Sequence, residues 1–286
     1  MNNSSKSWWC CIITRDGQDT LGITLDSIIG QSIRPEFIVI VDDNSKDQTP
    51  AIIEQKKNSL FPNLFSIKTS YKSRDIRRVP VLLNLGLAFV SREFPEEKTP
   101  KFMMVSGDDN KLVPGYVARI LDRMNNEEKV VVASGSWLES SNQMPHGGGR
   151  IVKMDFMRRV GGKYPVAYGW ETWLLYKALE LGYSVRNYHD IRYSHLRPYN
   201  PRNLLGWGRA MYSLGFPTYF VILRFLLNFA YSGRSTQSRI AGVTMLVGFL
   251  QTKFNKESVR GMLIEDEPLK SFVRRFVTVR LVRLAL

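Results

Sequence analysis

Apolar runs alternate with helical spacings along the first 110 residues. Trp8 to Thr14 is a continuous apolar run ending in threonine and reads as a buried strand. Residues 19–30 follow with Leu21, Leu25, Ile28 and Ile29 at the spacing of one helix face. The pattern then repeats: 37–41 strand, 50–58 helix, 64–69 strand, 79–91 helix, 102–105 strand. This alternation predicts an α/β fold with a mostly parallel, Rossmann-like central sheet flanked by helices, and with loops at one sheet edge open to ligands. Beyond Asn110 the order is less regular: helix at 113–124, strand at 130–134, a glycine-rich loop at 143–150, helix at 171–181, and strands at 183–188 and 191–194.

From about Asn200 the character changes. Residues 212–223 and 225–231 form an apolar stretch interrupted by Pro217 and Arg224, and 240–250 form another. Neither reaches the ~18 uninterrupted apolar residues of a membrane span. Arg224, Asn228 and Tyr231 recur at helical spacing and predict a polar stripe on an apolar helix. That pattern suits a helix lying in the headgroup region of a membrane, and equally a helical hairpin on the core or a dimer interface. In 272–286 the arginines 274, 275, 280 and 283 are mixed with apolar residues on every face. The organisation predicted is a catalytic domain over 1–200, with a nucleotide half at 8–110 and an acceptor half at 111–200, followed by a helical, membrane-associating region at 201–286.

Charge sharpens that division. Of a net +14, residues 201–286 carry +9, from 13 Lys/Arg against 4 Asp/Glu. Such an excess attracts polyanions, whether lipid headgroups, nucleic acid or phosphorylated substrates. The arginines lie among apolar residues and not on a platform of exposed aromatics, which disfavours nucleic acid. The only cysteines, Cys10 and Cys11, are neighbours on opposite faces of a strand and read as two buried thiols in a reducing compartment. Residues 1–7 lead into no long apolar core, so no secretory signal is predicted. The expectation is a cytoplasmic protein with peripheral contact at the cytoplasmic face of a membrane.

Two acidic clusters leave apolar runs: Asp42-Asp43-Asn44-Ser45 and Gly107-Asp108-Asp109-Asn110. Adjacent aspartates repel, and in open α/β sheets ligands bind beyond the carboxyl ends of the strands. A divalent cation, Mg²⁺ or Mn²⁺, would offset the repulsion and bridge to substrate phosphates. The same residues also suit turns and helix caps. Glu171 opens a helix near Trp170 and Trp173; a carboxylate among aromatic rings is partly desolvated and makes a better base near neutral pH, while a glutamate in a first turn also suits the helix dipole. Gly161 and Gly162 offer a loop where a ligand could approach backbone amides. His195 follows a strand and could complete a metal site, and Arg197 could meet a phosphate.

Taken in order, these pieces resemble the family-2 inverting glycosyltransferases of GT-A fold. The resemblance rests on Cys11-Ile12-Ile13-Thr14-Arg15, on Leu25-Asp26-Ser27-Ile28 with Gln31, and above all on Ile38 to Thr49 through Asp42-Asp43-Asn44-Ser45. It continues in Asn84-Leu85-Gly86-Leu87-Ala88 and Ser106-Gly107-Asp108-Asp109-Asn110, and in Gly161-Gly162-Lys163-Tyr164-Pro165 followed by Glu171 to Gly182. It covers roughly 8–200. It implies a metal-dependent hexosyltransferase using a UDP-, GDP- or dTDP-sugar. Thr14, Arg15, Asp42, Asp43, Ser45, Asn84 and Asp108 would line the nucleotide sugar, with Asp43 on the base and Asp108 on the ribose or metal. Asp109 would hold the metal and Glu171 would stand where the catalytic aspartate of the family stands. Three positions depart from the family pattern: Ser106 in place of its first metal-motif aspartate, and Trp170 and Trp173 in place of the acids around the base. Two other readings fit parts of the chain. Nucleotidyltransferases share the topology but usually carry a glycine-rich basic loop after the first strand, where Thr14-Arg15-Asp16-Gly17-Gln18 has one glycine. A non-catalytic basic nucleotide- or polyanion-binding protein would show salt-sensitive binding and no sugar release. The acceptor expected from the basic, apolar C-terminal region is a lipid-linked or membrane-proximal glycan.

Overall fold

The computed structural model of the protein describes residues 3–69, 77–137, 144–198, 204–230 and 236–285. Of the sequence features named above, Gln143, Asn200 and Tyr231 lie outside these residues, as do the side chains of Asn228, Arg280 and Arg283. The chain divides into two units, one of 1–74, 81–164 and 181–199, the other of 75–80, 165–180 and 200–286.

The first unit is built on one eight-stranded sheet. In chain order it contains β1 (Trp8–Thr14), α1 (Leu21–Ile29), β2 (Ile38–Asp42), α2 (Thr49–Ser59), β3 (Leu64–Lys68), α3 (Arg78–Glu93, from residue 81 onward), β4 (Phe102–Gly107), β5 (Asn110–Leu112), α4 (Tyr116–Asn126), β6 (Val130–Trp137), β7 (Arg150–Lys153) and α5 (Met154–Arg159). The long β8 (Ser184–His195) closes this unit, after α6 (Trp170–Glu180) of the second unit. The strand order is β3-β2-β1-β4-β7-β6-β8-β5. β1 pairs in parallel with β2 and β4, β2 with β3, and β6 with β8; β7 runs antiparallel to both neighbours and β5 antiparallel to β8.

Strands covered on both faces need apolar side chains at every position, which is why β1 and β2 read as unbroken runs. Trp8, Cys10 and Ile12 face the cluster built with Leu21, Leu25 and Ile28 of α1 and Tyr116 and Ile120 of α4. Cys11 points the other way, where Gly86 of α3 comes so close that a Cβ there would stand 2.7 Å from the Cys11 sulfur. Both thiols are buried and free, and burial pushes that of Cys11 up to about 12.

The structure adds elements that periodicity did not predict. β5, β7 and α5 span three, four and six residues, too short for a repeat to register. The two strands expected at 183–188 and 191–194 are one, β8, bulged against β6.

The second unit is helical: α6, then α7 (Leu204–Ser213), α8 (Thr218–Ala230), α9 (Thr236–Phe254) and α10 (Glu267–Ala285). Pro217 separates α7 from α8, whereas Arg224 does not interrupt α8. α7 and α9 pack backbone to backbone: a Cβ on Gly208 would stand 1.9 Å from the Met245 carbonyl oxygen, and one on Gly248 2.2 Å from that of Leu205. No helix among the described residues is long and apolar enough to cross a membrane.

α6 is tied to α10 by one carboxylate. Asp266 Oδ1 accepts from the Leu269 amide at 3.0 Å and so caps α10, while its Oδ2 accepts from Lys177 at 3.0 Å and faces the Trp173 indole nitrogen at 3.4 Å. Burial works against the charged form of Asp266, but the amide, Lys177 and the indole together hold its carboxyl below the ordinary value of 3.8. A depressed carboxylate contributes stability above its unfolded value, and that contribution is lost as pH falls through the folded one. Asp266→Ala is therefore expected to cost about 1–3 kcal/mol near neutral pH. In thermal melts the gap between variant and wild type should narrow below pH ~4, near the unfolded value for aspartate. A gap that persists unchanged to pH ~2 would exclude this ion pair as its source.

Candidate active site

Register brings the carboxyl ends of three strands together. Thr14, the last residue of β1, stands beside Asp42 of β2, and Ile13 beside Gly107 of β4. β1 lies between β2 and β4, where the chain, having added β2 and β3 on one side, crosses to the other; this is the switch point at which α/β sheets bind ligands.

The loops after β1 and β2 are laced to each other. The Asp43 amide donates to the Thr14 carbonyl at 2.9 Å, the Asp16 amide to Ser45 Oγ at 2.9 Å, the Lys46 amide to Asp16 Oδ1 at 2.9 Å, and the Gly17 amide to Thr49 Oγ1 at 2.8 Å. Asp42 is buried and accepts from the Ser45 amide at 3.0 Å; Asp16 and Asn44 take the left-handed conformation, with φ of 50° and 60°, that their short polar side chains tolerate. Asp42 and Asn44 thus shape the turn, and Asp43, also buried, is held beside them. Its Oδ1 accepts from Thr69 Oγ1 at 3.1 Å, and Arg15 stands 4.0 Å from its Oδ2.

Asp108 is held from three sides. Thr14 Oγ1 donates to its Oδ2 at 2.7 Å, Arg197 donates to Oδ1 at 2.9 Å and Oδ2 at 3.3 Å, and Thr24 Oγ1 donates to its backbone carbonyl at 2.8 Å. Arg197 also donates to Thr20 Oγ1 at 2.9 Å. Burial pushes the Asp108 carboxyl above its ordinary value, against the pull of Thr14 and Arg197 and with the help of its neighbour's charge. Gly17 closes the floor: a Cβ there would stand 2.4 Å from Asp108 Oδ2 and 2.5 Å from Thr14 Oγ1.

Asp109 differs. It is a quarter exposed, and its Oδ2 lies 3.7 Å from His195 Nδ1, an ion-pair distance longer than a hydrogen bond. The Leu196 amide donates to the Asp109 carbonyl at 2.7 Å, and the His195 ring packs edge-on against Trp137 and Tyr193. Burial disfavours its charge, but the His195 imidazole and the Arg197 guanidinium outweigh that and hold the carboxyl below its ordinary value.

Of the adjacent pair, Asp108 has both oxygens engaged, whereas Asp109 and His195 face each other at a separation a cation could bridge. Among the described residues no three or more His, Cys, Asp or Glu side chains gather around one point. A carboxylate and an imidazole are two ligands; with phosphate oxygens and water for the rest, this donor set fits Mg²⁺ or Mn²⁺ brought in with a diphosphate.

The remaining residues singled out in the sequence are placed as follows. Asn84 has both ends of its amide on the Tyr164 backbone, at 2.9 and 2.8 Å. Gly161 and Gly162 take φ of 97° and 67°, and their amides donate back to Arg158 and Met157 at the end of α5, which accounts for both glycines as a helix terminus. Glu171 and Trp170 belong to the second unit, in the first turn of α6. Trp173 does not face the same way as Glu171: residues two apart on a helix point in different directions, and its indole is buried toward Asp266. Sequence reading passed over Thr20, Thr24 and Thr69. Thr24 is polar on the otherwise apolar face of α1 and Thr20 immediately precedes that helix, while Thr69 follows the end of β3 as Asp43 and Asp108 follow those of β2 and β4.

The mostly parallel eight-stranded sheet flanked by helices is of GT-A type. The profile described as Glycosyl transferase family 2 matches residues 9–181, and the chain belongs to that family and is a glycosyltransferase. Among solved structures, a mannosyltransferase from Pyrobaculum calidifontis in complex with GDP-Man and Mn²⁺ is similar with a TM-score of 0.65 at 12% identity, over 87% of each chain. Glucosyl-3-phosphoglycerate synthase from Mycobacterium tuberculosis, in complex with Mn²⁺, UDP and phosphoglyceric acid, has a TM-score of 0.53 at 12% identity over 70% of this chain and 74% of its own. S. aureus TarS 1–349 in complex with UDP-GlcNAc has 0.51 at 15% identity over 92% and 78%. No curated protein matches the chain.

Proposed function

We propose that this glycosyltransferase moves a sugar, with inversion, from a nucleotide-sugar donor to a hydroxyl of a lipid-linked or membrane-proximal glycan at the cytoplasmic face of a membrane. The observation that carries the donor half is the meeting of Thr14, Asp43, Asp108 and Asp109 at the ends of β1, β2 and β4. Similar folds that hold GDP-Man or UDP together with Mn²⁺ support it.

In this reading Asp43, with Arg15 and Thr69 beside it, meets the base. Arg197 and Thr14 fix Asp108 beneath the ribose, and Asp109 with His195 holds Mg²⁺ or Mn²⁺. When bound, the cation would draw charge from the departing diphosphate oxygens. Glu171 takes the proton of the acceptor hydroxyl as its oxygen bonds to the anomeric carbon, and the bond from that carbon to the diphosphate breaks on the opposite face. The acceptor half rests on the second unit, whose basic excess and exposed apolar residues, Tyr219, Ile222 and Leu226 on α8 among them, suit a lipid surface.

The test of the donor half is a panel of UDP-, GDP- and dTDP-sugars with and without Mn²⁺, read by thermal denaturation. One nucleotide class should stabilise the protein, and more strongly with the metal than without it, by about 2.7 kcal/mol at a hundredfold excess over the Kd in its presence. If no nucleotide sugar raises the midpoint under any condition, the donor assignment falls.

A further inference from the structure

We propose that a groove between α7 and the C-terminal end of α9 binds the phosphate headgroup of an anionic membrane lipid, with the lipid chain lying along α9. This deepens the membrane-proximal part of the function proposed above and rests on it. The groove has a volume of about 600 Å³ and lies wholly within the second unit. It is lined by Arg209, Val247, Gln251, Phe254, Asn255 and Ser258, among others.

Arg209 marks the head end. Its Nη1 donates to the Tyr168 hydroxyl at 2.9 Å, and its guanidinium lies 5.5 Å from the centre of that ring. Its Nε is buried without a hydrogen-bond partner, and no carboxylate among the described residues pairs with it. A half-buried cation with no carboxylate partner is open to an anion from outside, and a phosphate offers both the charge and acceptors for the guanidinium fork. Gln251, Asn255 and Ser258 add exposed amide and hydroxyl groups at the same end.

The tail end is equally specific. The exposed apolar positions of α9, Ile240, Val243, Val247 and Phe254, recur at the spacing of one helix side, and Val247 and Phe254 are shared with the groove. From Ile240 to Phe254 the stripe runs ~21 Å at 1.5 Å per residue, the reach of an extended lipid chain. Phe254 is 80% exposed, more than any other large apolar residue described. Such a stripe ending in a cationic groove matches a molecule with a long apolar chain and an anionic head. A second copy of this chain matches less well, because it would bring the same +9 of residues 201–286 against itself.

Flotation with vesicles of phosphatidylcholine alone, or of phosphatidylcholine mixed with phosphatidylglycerol, tests this on the full chain. Wild type should float with the mixed vesicles and not with phosphatidylcholine alone. Phe254→Ser should weaken partitioning about tenfold or more, as expected for withdrawing one large apolar side chain. Ser258→Glu, at an exposed position whose hydroxyl donates to the Asn255 carbonyl at 2.8 Å within its own turn, should abolish the preference for the anionic lipid. Both variants should keep wild-type turnover on a soluble acceptor. Arg209→Gln should lose the same preference, and Ser258→Glu carries the test if that variant does not fold. If wild type floats and both surface variants float equally well, the groove assignment falls while the membrane reading stands. If wild type floats with neither vesicle, both fall. Stabilisation by inorganic phosphate without flotation would make this a free-anion site, and self-association lost in Phe254→Ser without flotation would give the stripe to a second copy; either result overturns the lipid assignment.

Discussion

Asp109→Ala is expected to lower sugar transfer about 10²–10³-fold, the loss typical of removing one preorganised stabiliser of developing negative charge. The same substitution should remove the Mn²⁺-dependent part of nucleotide-sugar stabilisation. Asp109 is the carboxylate of the adjacent pair that is not already committed, since Asp108 accepts from Thr14 and from both nitrogens of the Arg197 fork. The fold should hardly notice the change. Asp109 is a quarter exposed, and its ion pair with His195 spans 3.7 Å, so the loss of stability should stay within about 1 kcal/mol. Isothermal titration of nucleotide sugar with and without Mn²⁺ separates the two effects: metal-free binding should persist and the metal-dependent increment should vanish. A variant that keeps the increment would move the cation away from Asp109.

What the sequence made legible follows from what each element must do locally. β1, β2 and β4 are covered on both faces, so their runs of Trp, Ile, Val, Met and Phe announce them without any partner in view. Their acidic exits were readable for the same reason, since Asp42-Asp43 and Asp108-Asp109 stand where the apolar run stops. The electrostatic structure of the site was not readable. Arg197 reaches Asp108 across 89 residues and Thr20 across 177, and no local period encodes a pairing at that distance. Read alone, Arg197 suggested a phosphate ligand; in the fold it and Thr14 commit Asp108, and so divide two adjacent aspartates into a fixed one and an available one. Short elements escaped for a different reason. Four residues of β7 hold too few positions to alternate visibly, and Arg150 at its start looks exposed in sequence, though it is buried by donating to the His146 and Pro145 carbonyls. The apolar runs of the second unit were visible. Their packing depends on Gly208 and Gly248, whose effect is to let two backbones touch, and an isolated glycine in an apolar helix does not disclose its partner.

Glu171→Gln is expected to lower kcat about 10²–10⁴-fold, the contribution usual for a general base, while leaving the affinity for nucleotide sugar unchanged. The side chains proposed to line the donor, Thr14, Arg15, Asp43 and Asp108, all belong to the first unit, whereas Glu171 stands in the first turn of α6 in the second. An acid in that turn also interacts favourably with the helix dipole, and the two roles make different forecasts. If the dipole were its whole purpose, glutamine would cost about 0.3–1 kcal/mol of stability and turnover would survive. If Glu171 takes the acceptor's proton, glutamine keeps the shape but cannot accept it, and kcat falls with little change in melting temperature. Glu171→Asp sharpens the distinction, because it retains the charge for the dipole and draws the carboxylate back by one methylene. A base would lose part of its rate through misplacement alone, since small errors in reach are costly to proton transfer. The decisive measurement is single-turnover transfer with donor and metal saturating: near-wild-type rates in both variants would leave α6 a structural helix and require the base to be sought elsewhere.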